Sequence, residues 1–402
     1  MFDRGQRIFI PGAAGEPIAL RPQVFGASEA EIVTSFVPGI NPLSMDDIGP
    51  GSHVYGLFMQ PSMAQAQRLG VFRHLPFSYA AMLKHIVHGP AFDWCVIQVS
   101  PPDAGGRCCL GPSAEFSPAA IGRARRVMAV VNPNVPALPH AAWIARERID
   151  TLIESDAALV TYDVGAVDEP TRRIARHVAE LIDDSTTLQV GLGKVPHALM
   201  QALHDRRRLK VHSGMVSDGF IGLAEAGALA GDRPHRTTAI LGSKALYEWV
   251  RDRSDLHVLG VGDIHAPAVL ANLERFVAVN SALEVDLFGQ CNLEWAKGRA
   301  VSGGGGSTDF ARGARLGEQG ISIVALPATF GGGKGSRILA QLDGNGIATL
   351  PRTDVDAIVT EEGIADLRGL SVHERAERII SIAAPGHRAA LEQQWKDIAG
   401  RL

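Results

Sequence analysis

The stretch TLQVGLGKVPHAL, residues 187–199, decides the fold: a short β-favouring run, a Gly-Leu-Gly turn, then a helical pattern. A strand that passes through glycines straight into a helix is half of a βα unit. The same grammar recurs on both sides. WCVIQVS (94–100), RVMAVVN (126–132), TAILGS (238–243), ISIVALP (321–327) and DAIVTEEG (356–363) are further apolar runs of strand length, several ending in Gly, Ser or Pro. Alternation of such runs with helical segments predicts an α/β protein built on largely parallel sheets. Ligands of these sheets bind beyond the carboxyl ends of the strands.

Between strands, EPTRRIARHVAELIDD (169–184) carries Ile174, Val178, Leu181 and Ile182 on one helical face. The preceding TYDVGAVDEP (161–170) is polar, contains Gly and Pro, and breaks the periodicity, as a linker does. The chain is therefore expected to divide into 1–165 and 166–402. Its 402 residues, 46% hydrophobic and 20% charged, suffice for two ordinary cores.

A net charge of -4 with interspersed signs offers no basic face to nucleic acid. Nothing approaches the roughly 20 apolar residues of a membrane span, and MFDRGQRIFIPG lacks a signal-peptide core, so a cytoplasmic protein is expected. Cys95, Cys108, Cys109 and Cys291 have neither zinc spacing nor a disulfide framework and read as structural thiols. His85 and His88 lack a third ligand nearby, so no metal is expected. Arg206, Arg207 and Arg208 read first as a solvated helix end.

SPPDAGGRCCLG (100–111), TLQVGLGKVPHAL, HSGMVSDG (212–219), NSALEVDLFGQCN (280–292), SGGGGSTDFARGA (302–314), VTEEGIADLRG (359–369) and the downstream HERA and RIISIAAPGHR form an ordered series. In that order they resemble the acetyl-CoA hydrolase/transferase family, which includes 4-hydroxybutyrate CoA-transferase and succinyl-CoA:acetate CoA-transferase. The resemblance is weakest over the first 90 residues, where GQRIFIPGAAGEP and PFSYA carry it. It implies two CoA-transferase-type open-sheet α/β domains, 1–165 and 166–402, with the active site between them. It also implies an acyl-CoA as substrate or ligand, coenzyme A entering as its thioester, and no permanently bound cofactor. A homo-oligomer is compatible with it.

The chemistry that the resemblance implies begins with a glutamate carboxylate attacking an acyl-CoA thioester. The anhydride is then opened by CoA to a glutamyl-CoA thioester, and an incoming acid reverses the sequence. Backbone N–H groups must face the developing oxyanion. The resemblance assigns that contact to the backbone around Leu192, between Gly191 and Gly193, and a second one to FGGGKGSRI (330–338), where Gly332 and Gly333 admit a ligand. Gly303, Gly305 and Gly306 belong to a further close-approach or flexible segment. Glu361 matches a glutamate that closes the site, and Asn292 an asparagine used near the acyl group; a buried ion pair and a strand-end turn are their structural alternatives. Glu284 and Asp286 share a strand face but are read as structural.

The nucleophile is what this chain lacks. His212, Ser213, Met215, Ser217, Asp218 and Gly219 match the family pattern without a gap, and the glutamate position is Gly214. Glycine has no group to acylate, so transfer through residue 214 is excluded. The first reading is water-mediated cleavage, by thioester hydrolysis or C–C hydrolysis of the acyl group. There the vacated volume holds one or two waters of roughly 30 Å3 each, with Glu361 as general base and His212 second. A non-catalytic acyl-CoA-binding protein and a transferase with its nucleophile elsewhere are the alternatives.

Overall fold

The computed structural model describes residues 1–342 and 346–402. Among them, the first half builds a seven-stranded sheet in the order Thr151–Glu154, Ala124–Val131, Phe92–Val99, Arg7–Ile10, Glu31–Thr34, His53–Gly56, Phe72–His74. Every ladder is parallel. The alternation of side chains explains why the strands read as continuous apolar runs. Phe9, Val33, Cys95 and Val127 enter the core on one face, while Ile8, Ile10, Ile32, Trp94 and Met128 enter that on the other.

The second half forms a nine-stranded sheet in the order Gly363–Asp366, Ala357–Thr360, Ile321–Ala325, Phe276–Ser281, Thr187–Val190, Lys210–Val216, His235–Ile240, Leu256–Val258, His140–Ala141. Only the terminal Gly363–Asp366 strand runs antiparallel. All six strands read from the sequence are present, each within a few residues of its expected bounds.

The helix expected over 169–184 forms as Glu169–Ala179, with Asp168 accepting from Thr171 N at its start. Ile174 and Val178 join the core beneath the sheet. The helix stops at Ala179, where the Arg206 guanidinium donates to the carbonyls of Ala179 and Ile182. Arg208 meanwhile pairs with Asp232, so the arginine run ties elements together.

Pairing crosses between the halves. His140–Ala141 completes the second sheet beside Leu256–Val258, and bridges join Ser78 to Gly305, Ser113 to Ala239 and Glu115 to Gly260. The loops at the strand ends of one half are thereby held against those of the other. Cys95, Cys108, Cys109 and Cys291 are all buried free thiols. No described helix is long and apolar enough to cross a membrane.

Candidate active site

The Gly191-Leu192-Gly193 turn leaves the Thr187–Val190 strand and opens the Lys194–Ala202 helix. Gly193 takes φ +121 and ψ -178, a conformation that side chains resist, and no side chain caps the helix it starts. The first N–H groups of this helix consequently remain available to negative charge. They face a cavity of about 500 Å3, lined by Gly193, His197, Ser217, Asp218, Ser243 and Lys244 and closed on one side by residues 161–164 of the expected linker. Asp218 does not project freely into it, because its carboxylate accepts from the backbone N and hydroxyl of Ser243.

One strand away, Gly214 lies within Lys210–Val216, with Thr238 Oγ1 donating to its carbonyl at 2.6 Å. The space a side chain would take here has close neighbours. A Cβ on Gly214 would lie 3.3 Å from His265 Nε2 and 3.3 Å from Phe310 Cε2. An imidazole and a phenyl ring thus border the position, which itself stays partly exposed. His265 reaches it from the turn that follows the short Val261–Ile264 helix.

The His265 ring is 1% exposed and stacks between Phe310, at 4.4 Å between centroids, and Tyr79, at 4.7 Å. Its Nδ1 faces the Asp309 carboxylate at 3.6 Å, and neither ring nitrogen has a hydrogen-bond partner. Leaving a buried polar group unsatisfied costs about 1–3 kcal/mol. Burial holds the imidazole below its ordinary pKa, against the opposing pull of Asp309. Gly306 is glycine for the same ring, since a Cβ there would stand 2.3 Å from His265 Cε1.

Behind Tyr79 lies a second buried acid. Glu115 accepts from Ser35 Oγ at 2.9 Å and from the Tyr79 hydroxyl at 3.4 Å, in a left-handed backbone with φ +38. Desolvation pushes its carboxyl up to about 7, with both hydrogen bonds opposing the rise. Tyr79 is itself held well above its usual range, by burial first and the Glu115 charge second.

The other expected site residues take different places. His212 shares its strand face with Gly214, but its Nε2 donates to the Ile264 carbonyl at 2.8 Å, and burial lowers its pKa to about 4. It braces the turn that carries His265. Glu361 accepts from Ala328 N at 2.8 Å, at the end of a strand four spacings from Lys210–Val216, about 19 Å across the sheet. Each residue expected as general base is thus hydrogen-bonded within the chain, His212 to a backbone carbonyl and Glu361 to a backbone N–H. Asn292 is fully buried and its amide is committed within the chain, to Glu284 Oε2, to the Trp295 carbonyl and to the N–H groups of Glu294 and Trp295. That is the strand-end turn. Asp286, fully buried, likewise serves the backbone of Phe288, Gln290 and Leu342.

Gly303 and Gly305 prove to be close-approach glycines. A Cβ would come within 2.1 Å of the Leu57 carbonyl at the first and 2.9 Å of the Phe58 ring at the second. Gly332 and Gly333 differ, being exposed and left-handed at the tip of the hairpin between Thr329–Phe330 and Gly335–Ser336, where an added Cβ would meet nothing within 4 Å. Sequence reasoning missed His265, Asp309, Tyr79 and Glu115. Asp309 and Tyr79 lay inside the quoted motifs SGGGGSTDFARGA and PFSYA; His265, in DIHAP, gave no periodic or motif signal.

Comparison with known proteins agrees with this architecture. Residues 47–162 match the acetyl-CoA hydrolase/transferase N-terminal domain, and residues 242–395 the C-terminal domain. The 4-hydroxybutyrate coenzyme A transferase of Clostridium kluyveri is 35% identical over 76% of this chain and 72% of its own length. An acetyl-CoA hydrolase of Eremothecium gossypii is 26% identical over 75% of this chain and 65% of its own. The crystal structure of RipA from Yersinia pestis superposes with a TM-score of 0.91 at 27% identity, over 99% of this chain and 95% of that one.

Proposed function

The chain belongs to the acetyl-CoA hydrolase/transferase family, and on that premise we propose that it cleaves an acyl-CoA with water and does not pass CoA to a second acid. The family holds both CoA-transferases and acetyl-CoA hydrolases, so an acyl-CoA-dependent enzyme is what this scaffold supports.

One observation carries the choice of water. The motif resemblance puts the nucleophile position at Gly214, and the groups nearest the side chain it lacks are an imidazole and a phenyl ring. A covalent glutamyl route has no atom to begin from. The binding half keeps what a thioester needs: an uncapped helix start at Gly193 beside a cavity of about 500 Å3. Lys244 on the cavity wall and Lys194 in the first helical turn supply positive charge suited to the phosphates of CoA. Thioester hydrolysis asks least of such a site, since the thiolate leaves readily; C–C hydrolysis within the acyl group uses the same elements.

The test is a panel of acyl-CoAs incubated with the protein, with and without acetate, following free thiol and acetyl-CoA by mass spectrometry. Thiol release without acceptor is expected. Acetyl-CoA appearing only with acetate would establish transfer instead, and unchanged acyl-CoA with measurable binding would make the chain a binding protein.

A further inference from the structure

Three features converge on the ring beside Gly214. His265 is enclosed, and both its nitrogens lack partners. Its Nδ1 edge points to Asp309, 3.6 Å away, and its Nε2 edge points to the place a residue-214 side chain would fill. Asp309 lies in the first turn of the Ser307–Leu316 helix and accepts from Ala80 N at 3.0 Å, so its carboxylate is fixed from two elements. Interiors seldom keep an imidazole with both nitrogens unpaired. A ring of that kind, oriented by a carboxylate and pointed at the lost nucleophile, has the layout of a general base.

We propose that His265, oriented by Asp309, is the general base and acid that replaces the missing glutamate, acting through Nε2 on a water admitted at the backbone of Gly214. This rests on the water-cleavage reading above. As Asp309 closes from its resting 3.6 Å to hydrogen-bond distance, the proton stays on Nδ1 and the Nε2 lone pair faces the substrate. Nε2 takes a proton from water as the oxygen adds to the thioester carbonyl carbon, whose oxyanion turns to the N–H groups at Gly191–Gly193. The intermediate collapses with cleavage of the C–S bond, and the departing thiolate recovers the proton from Nε2. Acyl-CoA and water become a carboxylic acid and the CoA thiol, with no other reactant.

Gly214 and Gly306, the two glycines set against the enclosed ring, each keep partial exposure, and Tyr79 and Phe310 cover its faces. The titratable groups packed around it are Asp309, Tyr79 and His212, with Glu115 behind the Tyr79 hydroxyl. Because burial keeps the imidazole neutral, the base is ready at neutral pH. His212 is then a positioning residue, holding the Ile264 carbonyl next to the working histidine.

Thiol release by His265→Gln and Asp309→Asn is compared with the parent, alongside acyl-CoA affinity by calorimetry, thermal unfolding and the pH profile of kcat. Loss of a positioned base predicts a fall in kcat of about 10²–10⁴-fold for His265→Gln, with affinity within threefold. The acidic limb of the profile should disappear in that variant and persist, at reduced rate, in Asp309→Asn. If His265→Gln misfolds, His265→Ala supplied with free imidazole must regain pH-dependent hydrolysis. A parent that cleaves no acyl-CoA sinks the water reading and this proposal together. An active parent with His265→Gln at an equal rate, or no imidazole rescue, sinks the dyad alone.

Discussion

The mouth at Gly191–Gly193 and the floor at Gly214 lie on adjacent strands, yet they are built in opposite ways. At the mouth a Cβ on Gly191 meets nothing within 4 Å, and the turn faces a cavity. On the floor Gly214 and Gly306 have a histidine ring pressed against both of them. The same residue type serves openness in one place and close packing in the other. The part that would bind a thioester keeps an accessible form, and the part that would react with it is walled by a different side chain.

The largest effect that could break this contrast is restoration of the nucleophile. Gly214→Glu alone places its Cβ 3.3 Å from two rings, so His265 or Phe310 must give by a few tenths of an ångström to admit it. Gly214→Glu combined with His265→Ser removes that obstacle. Incubated with acyl-CoA, the double variant is expected to show a covalent CoA adduct in its intact mass, while the single variant shows less than a tenth as much. Equal adducts would mean the floor is soft and the mouth-floor contrast is only one of resting shape. No adduct in either would mean the oxyanion groups have moved out of register as well.

Titration should separate the regions by a smaller margin. His212, on the floor, has its pKa lowered from 6.5 to about 4, so folding favours its neutral form. Its stabilisation is complete above pH 6.5 and is lost as pH falls toward 4, on the order of 3 kcal/mol for a shift of this size. His235, buried on the neighbouring strand and also lowered to about 4, adds a limb of the same sign. Glu115 acts oppositely: its carboxyl, raised to about 7, stabilises below pH 4.5 and loses that contribution as pH rises through 7. His212→Asn, which can still donate to Ile264, should flatten the dependence of the urea midpoint between pH 4 and 6.5. An unchanged slope would show that His212 is not neutral by burial.

How much of this was legible in the sequence follows from what kind of physics fixed each part. Strands buried on both faces, such as Phe92–Val99, advertise themselves as apolar runs, and turns such as Gly191–Gly193 through their glycines. Gly214 draws notice because its neighbours in HSGMVSDG resemble the family pattern, and that resemblance alone makes it the nucleophile position. His265 was not legible, because it reaches the floor from an irregular turn 51 positions later in the chain, and only the folded turn points it at Gly214. Asn292 and Glu361 were singled out by the resemblance, with a strand-end turn and a buried ion pair as their structural alternatives, but which atoms they bond to is set by tertiary neighbours, Glu284 and Ala328. The Tyr79 stack on His265 depends on the meeting of the two halves, and the bonds of Glu115 to Ser35 and Tyr79 join residues far apart in the chain; no local pattern encodes either.

The finest test of the contrast adds one methyl group to each region. Gly306→Ala sets a Cβ 2.3 Å from His265 Cε1 and 2.9 Å from Nδ1, where the ring is already enclosed by Tyr79 and Phe310 and has nowhere to retreat. Overpacking of this kind costs about 1–3 kcal/mol. Gly191→Ala meets no atom within 4 Å and needs no left-handed backbone, so its stability should change by less than about 0.5 kcal/mol. Thermal unfolding of the two variants measures the difference directly. If both lose stability alike, the turn at Gly191 is as tightly packed as the floor, and the open mouth inferred from its geometry is wrong; if neither does, the His265 ring is free to move, and Gly306 is not held to glycine by it.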